Sequence, residues 1–208
     1  MTRIVSGFAG SLALAVPRSG TRPTSDRVRE AIFSALEARD ALTDAVVFDL
    51  YAGSGALGLE AVSRGAVSVV LVERSTPAAA LCRRNADAVR RAAPKGHEPR
   101  IRVATQSVQA FLDTEGMAAD LVFIDPPYDL PEPELARALH SLAGRLTEGA
   151  VVLVERSTRS PEPRWPAGIA LDRHRKYGET TLWWATAHAE PDSAGPDGPQ
   201  PAAPSQSA

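Results

Sequence analysis

The sequence predicts an α/β fold in which a parallel sheet is covered by helices on both faces and closed by an antiparallel hairpin. Three observations predict it. Short β-type apolar runs alternate with helical ones from Val46 to Val154, the order that builds parallel sheets. A glycine-rich turn joins the first of these strands to its helix, and open sheets of this kind bind ligands beyond the carboxyl ends of their strands. The last two β-type runs flank Tyr177-Gly178-Glu179, a connection suited to an antiparallel pair.

The elements follow in order. Residues 2–9 and 12–16 are strand-like runs around Gly10-Ser11, which predicts a small N-terminal hairpin. Pro17 to Pro23 reads as a loop. Thr24 or Ser25 can cap a helix whose apolar positions, Val28, Ala31, Ile32, Ala35 and Leu36, keep helical spacing. Val46–Leu50 is the first strand of the alternation, followed by the glycine turn and a helix to about Ser63. Ser68–Val72 is the second strand, with a helix over Thr76–Ala93. Ile101–Ala104 is the third, with a short helix through Phe111. Leu121–Ile124 is the fourth, with a helix over Glu132–Leu146, and Val151–Val154 is the fifth. Ala170–Arg175 and Thr180–Thr186 form the closing hairpin.

Composition narrows the class. At 208 residues with 44% hydrophobic content, the chain is long enough for one domain with a sizeable core. No apolar run approaches the roughly 18–20 residues of a membrane span, and the N-terminus lacks the layout of a secretory signal. A soluble cytoplasmic monomer is expected. The single cysteine, Cys82, excludes an intramolecular disulfide and a multi-cysteine metal site, and the four histidines lack ligand spacing. No metal is expected.

Net charge is −2, but the tail carries part of it. From His188 onward there are three acids, no Lys or Arg, and five prolines. That composition predicts disorder over 188–208. The organisation expected is therefore a hairpin extension over 1–20, a catalytic domain over 21–187 and the tail. The first 30 residues are basic, with Arg3, Arg18, Arg22, Arg27 and Arg29 against Asp26 and Glu30. A second basic cluster, from Arg83 to Arg102, reads as a solvated helix face.

The first loop reads Asp49-Leu50-Tyr51-Ala52-Gly53-Ser54-Gly55-Ala56-Leu57-Gly58, and Glu73 lies 20 residues beyond Gly53. Three glycines in this spacing, with an acid at the next strand end, form the pattern that holds an adenosine-bearing cofactor. Glycine permits the turn and a close backbone approach. A carboxylate accepts two hydrogen bonds and donates none, which suits a ribose diol. Both NAD and S-adenosylmethionine carry that ribose. Asp49 favours the second, because an acid there suits a cationic amino group and is awkward beside a pyrophosphate.

Asp125-Pro126-Pro127-Tyr128 follows the fourth strand. The prolines fix the chain's exit and lack backbone donors, which aims the Asp125 carboxylate and the Pro126 carbonyl into one pocket. Two acceptors side by side match the two N–H bonds of a planar exocyclic amine. Held in place beforehand, they stabilise the positive charge that such a nitrogen gains when methylated. Tyr128 offers a face on which a base can stack.

These motifs resemble a class I S-adenosylmethionine-dependent methyltransferase acting on an amino nitrogen. More closely, residues 21–33 (Thr-Arg-Pro-Thr-Ser-Asp-Arg-Val-Arg-Glu-Ala-Ile-Phe), the run from Asp49 to Ala61, the Asp-Pro-Pro-Tyr corner and Tyr177-Gly178 resemble the bacterial 16S ribosomal RNA guanine-N2 methyltransferases (RsmD-like). The resemblance runs in order over residues 1–187. It implies a seven-stranded Rossmann-like sheet with a small N-terminal β-hairpin extension. It also implies a guanine of small-subunit rRNA as substrate, in an assembling or assembled 30S particle. Carried over, Asp49, Tyr51, Gly53, Ser54, Gly55 and Glu73 hold S-adenosylmethionine, and Asp125, Pro126, Pro127 and Tyr128 hold the base. Arg22, Arg27 and Arg29 are expected at the pocket mouth, meeting phosphates.

Two departures stand out. Where the family is basic after its N-terminal glycine, this chain has Gly10-Ser11-Leu12-Ala13-Leu14. After the third strand, where an Asp or Asn often touches the adenine, it offers Gln106-Ser107, so Ser107 is the candidate there. Two alternatives share the motifs: an adenine-N6 nucleic-acid methyltransferase, and a non-catalytic RNA- or ribosome-binding module with a vestigial pocket.

Overall fold

The structure, a computed structural model, describes residues 2–16, 26–96 and 98–188. The expected loop from Pro17 to Pro23, the capping residues Thr24 and Ser25, and the tail beyond His188 lie outside the described residues.

A two-residue ladder opens the chain: β1 (Thr2–Arg3) pairs antiparallel with β2 (Ala13–Leu14). Helix α1 (Asp26–Glu37) follows. The alternation then runs β3 (Val46–Leu50), α2 (Ala56–Ser63), β4 (Ser68–Val72), α3 (Thr76–Ala92), β5 (Arg100–Ala104) and α4 (Val108–Thr114). It continues through β6 (Ala119–Ile124), α5 (Glu132–Ala143) and β7 (Leu146–Ser157), and ends in the hairpin β8 (Ile169–Tyr177) and β9 (Thr180–Ala187). The seven-stranded sheet has the order β5-β4-β3-β6-β7-β9-β8. Pairings among β3 to β7 are parallel, and β9 is antiparallel to both β7 and β8. The chain order reverses between β3 and β6, and the crevice that such a switch opens above the strand ends is where ligands bind.

Residue alternation along the strands explains the three layers. Side chains point to opposite faces at successive positions. Val47, Val69, Leu71, Leu121, Phe123, Leu153 and Trp184 pack on one face with Ile32, Phe33 and Leu36 of α1, Leu59 of α2 and Val89 of α3. Phe48, Val70, Val72, Val122, Ile124, Val152 and Trp183 pack on the other with Phe111 of α4 and Leu139 of α5. Both faces are apolar, as a buried parallel sheet requires.

The largest departures from the expected boundaries lie at the two ends of the domain. The N-terminal strands are shorter than the 2–9 and 12–16 runs, because the chain between them docks on α2 instead of extending the ladder. Buried Glu60 accepts from the Val5 and Ser6 amides at 2.7 and 2.9 Å. The Ser63 hydroxyl accepts from Ala9 N and donates to Ser6 O. A Cβ on Gly7 would come within 1.8 Å of the Ser63 carbonyl oxygen, so only glycine fits against the end of α2 there. At the other end of the domain, α5 stops at Ala143 and β7 starts at Leu146 and runs to Ser157, well beyond Val151–Val154. The charged pair Glu155-Arg156 ends the apolar pattern, yet it stays in the sheet because β9 pairs with it.

Candidate active site

The carboxyl ends of β3, β4, β5 and β6 surround one cavity of about 540 Å³. Its walls include Asp49, Tyr51, Gly53, Ser54, Glu73 and Ser107 on one side and Asp125, Pro126, Pro127 and Tyr128 on the other. The two motifs read separately in the sequence therefore face a shared space.

The glycine turn is built for close approach. Gly53 has φ of +56°, and a Cβ there would meet nothing within 4 Å. Its face towards the cavity is open. Tyr51 holds φ of +69° although it is bulky, a conformation that side chains of that size avoid. Burial pushes its phenol up to about 12, and the charge of Glu134 adds to the effect. Gly58 serves packing: a Cβ there would lie 2.5 Å from Leu71 Cδ2, so its absence lets α2 close on β4. Gly55 is not part of the cavity wall. It has φ of +79°, and a Cβ there would come within 2.9 Å of Cys82 Sγ. Gly55 turns the chain and makes room for α3.

Glu73 is already oriented. One carboxylate oxygen accepts from Gly53 N at 3.0 Å and the other from Ser75 N at 2.7 Å. Each oxygen keeps a further acceptor site for a ligand. Asp49 lies deeper, 2% exposed, with Oδ2 accepting from Gly58 N at 2.9 Å. Burial raises its pKa from 3.8 to about 7, the Gly58 hydrogen bond opposes that, and the Glu73 charge adds to it. A buried carboxyl so perturbed is poised to ionise beside a cation. The exposed Ser107 hydroxyl caps α4 by accepting from Ala110 N at 3.2 Å, and its own proton remains to donate.

On the opposite wall, Asp125 is half-buried, Pro126 buried and Tyr128 56% exposed. This mixture suits a corner that anchors a carboxylate while offering a ring to a large ligand. Arg156, which the sequence reading missed, fixes the segment after the corner. Its guanidinium, only 3% exposed, donates to Leu130 O at 2.9 Å, to Glu132 Oε1 at 2.6 Å and to Pro127 O at 3.4 Å. Asn85, also missed, ties the other wall together. Its amide donates to Ser54 O at 2.8 Å and to Ala15 O, and accepts from Ala15 N. The N-terminal extension is thereby fastened to the glycine turn. Arg74, Gln109, Glu134 and Arg137 also line the cavity. Glu134 and Arg137 stand three residues apart on α5, a spacing that puts them on one helix face.

The arginines expected at the mouth divide. Arg22 lies outside the described residues. Arg27 is exposed on α1 but not in the cavity wall. Arg29 is 1% exposed and donates to Arg3 O at 2.7 Å. That corrects its assignment as a surface phosphate contact: its charge is sequestered between α1 and the N-terminal extension, although it reaches the cavity wall.

The family model described as Conserved hypothetical protein 95 matches residues 2–186. The chain belongs to that family. Within it, Ribosomal RNA small subunit methyltransferase D of Escherichia coli strain K12 is 33% identical over 194 residues, covering 92% of this chain and 93% of the relative. The solved structure of a hypothetical protein from Thermus thermophilus superposes with a TM-score of 0.73 at 31% identity, covering 88% of this chain and 98% of that one. More distantly, magnesium protoporphyrin IX methyltransferase from Synechocystis, solved with S-adenosylmethionine bound, superposes with a TM-score of 0.60 at 16% identity, covering 81% and 86%. At that distance the likeness is one of fold, and the fold is the class I methyltransferase fold.

Proposed function

We infer that this protein transfers a methyl group from S-adenosylmethionine to the exocyclic N2 of a guanine in 16S rRNA. The observation that carries the reading is a single cavity shared by the Glu73–Gly53 cradle and the Asp125–Tyr128 corner. The family relative named as a small-subunit rRNA methyltransferase supports the substrate class.

The residues present fit the cofactor. Open space at Gly53 admits a ligand against the backbone. The oriented Glu73 carboxylate suits the ribose hydroxyls, and Ser107 suits the adenine ring. Asp49, strained by burial, gains from a cationic amino group and would be worsened by a pyrophosphate, which disfavours NAD. When bound, S-adenosylmethionine supplies a methyl group made electrophilic by its sulfonium.

The chain's own groups do the rest. Tyr128 stacks the base and, with the rigid Pro126-Pro127 turn, orients it; positioning of this kind can supply roughly 7–11 kcal/mol. The Asp125 carboxylate and the Pro126 carbonyl accept hydrogen bonds from the amine and stabilise the charge developing on nitrogen. Asp125 then receives the departing proton, directly or through water. A base in a duplex hides this amine, so the guanine must be unpaired or splayed out. An rRNA substrate supports a cytoplasmic location.

The test is incubation with labelled S-adenosylmethionine and 30S particles from a strain lacking the gene, followed by nucleoside mass spectrometry. N2-methylguanosine is expected. N6-methyladenosine would replace this reading with the adenine one, and absence of cofactor binding by calorimetry would leave only the non-catalytic module.

A further inference from the structure

Strand order separates the cofactor half of the rim from the substrate half. Glu73 and Ser107 follow β4 and β5, and the amine-facing corner follows β6. Beyond that corner the sheet continues through β7, β9 and β8, on the side away from the cofactor strands. Near the N-terminus, Gly10 to Leu14 contains no basic residue and Arg29 is buried.

The far edge of that half is basic. Strand β8 is an outer strand, and its residues Arg173, His174, Arg175 and Lys176 are all exposed. Tyr177 pairs with Thr180, which pairs with Ser157 at the carboxyl end of β7. The basic run thus climbs towards the rim that holds the cavity. Among the described residues, no carboxylate forms an ion pair with these four. Two are held by aromatic rings: Arg173 Cζ lies 5.1 Å from the Trp184 ring centre and Arg175 Cζ 5.3 Å from that of Tyr177. Stacking limits the freedom of a guanidinium while leaving its N–H edge to an anion. Tyr177-Gly178, part of the motif set that the reaction itself does not use, thereby acquires a role.

We propose that the outer edge strand β8, with Arg173 and Arg175 on one face of the sheet and His174 and Lys176 on the other, is a docking edge for the phosphate backbone of the RNA substrate. The proposal rests on the rRNA reading above. The competing reading is protective: basic side chains keep an outer strand from pairing with other chains, and this requires no effect on RNA.

The test replaces Arg173, Arg175 and Lys176 together by Gln and measures binding to a 16S rRNA transcript across a salt series. Each phosphate contact contributes about 0.7–0.9 to the slope of log Kd against log salt, so the slope should flatten by about 2–3. At 0.1 M salt, Kd should rise at least tenfold while cofactor affinity and kcat hold. A matched variant on the cofactor side, Arg84→Gln, Arg91→Gln and Lys95→Gln, should keep the wild-type slope. The double variant Arg173→Lys, Arg175→Lys should keep it too, which separates charge from lost stacking. Lys176→Glu, which touches no ring, repeats the test without disturbing packing and should weaken binding severalfold. An unchanged slope in the β8 variants, or an equal loss in the matched cofactor-side variant, overturns the proposal. If the wild type binds and methylates rRNA regardless, only the docking surface falls. If it neither binds the transcript nor methylates the 30S particle, the rRNA reading falls first.

Discussion

Replacing Asp49 by Asn tests whether the cavity floor retains a costly carboxyl for the sake of its charge. Asp49 is 2% exposed, and its pKa is raised from 3.8 to about 7, mainly by burial. In the folded protein it keeps its proton over a pH range where the unfolded chain has lost it. The folded state then binds more protons, so stability falls as pH rises from about 4 to about 7. At 1.36 kcal/mol per unit, the full lift costs on the order of 4 kcal/mol above pH 7. Roughly 3 kcal/mol of this is lost between pH 5 and pH 8. Asn has nearly the same volume, can still accept from Gly58 N, and cannot ionise. Urea denaturation of both cofactor-free proteins at pH 5, 6, 7 and 8 gives a difference curve from which the other titrating groups cancel. Asp49→Asn should gain about 3 kcal/mol on the wild type across that range. A flat difference would mean that Asp49 titrates as an ordinary carboxyl, and the argument from burial would fail. A cationic amino group beside Asp49 reverses the sign, because it favours the ionised form. Cofactor binding to the wild type should therefore release protons near pH 7 and tighten as pH rises through it. In Asp49→Asn it should be weaker and independent of pH, as calorimetry in two buffers of different ionisation enthalpy would read.

Glu73→Ala removes the acceptors proposed to face the ribose; one charged hydrogen bond is worth about 1.5–3 kcal/mol, so cofactor affinity should fall at least tenfold, and unchanged calorimetric affinity would refute the assignment. Asp125→Ala should lose about 10²–10³ in kcat while binding cofactor normally; near-wild-type turnover would remove the Asp-Pro-Pro-Tyr corner from the chemistry. Arg156→Ala should destabilise the fold by roughly 2 kcal/mol, because it strips the Leu130 carbonyl and Glu132 of a buried donor. It should also raise KM for the RNA substrate with cofactor affinity intact, and an unmoved KM would show that the Pro127–Glu132 segment holds its shape unaided.

The layers of the sheet were legible because burial on both faces writes itself into composition. Val46–Leu50, Ser68–Val72 and Leu121–Ile124 have few polar positions, and only a strand covered on both sides affords that. The same rule hid the full length of β7. Its apolar run stops at Val154, while Glu155 and Arg156 remain in register with Leu182 and Thr181 of β9. Periodicity cannot signal a charged residue whose partners come from a loop 24 to 29 positions away in the chain. The N-terminal strands were over-read for a related reason. Residues 4–12 carry strand-like composition, but the Val5, Ser6, Phe8 and Ala9 amides are taken by Glu60 and Ser63 of α2, and the Gly10 and Leu12 amides close turns onto Gly7 and Ala9.

At the site, the residues that the sequence brings forward are those at strand ends, because a strand end that follows an apolar run is visible in the sequence. Gly53 and Glu73, at successive strand ends, meet directly through a 3.0 Å hydrogen bond. Residues that hold the walls in place carry no such signal. Asn85 sits mid-helix in α3 and reaches Ser54, 31 positions away, and Ala15, 70 positions away. Arg29 shows how the same gap misleads: an arginine near Arg27 in a basic helix reads as a phosphate contact, yet about half a turn of the helix separates the two and places Arg29 inside. Which arginines can serve the substrate is therefore set by where the fold places them, and β8 holds an exposed basic run at the substrate end of the sheet.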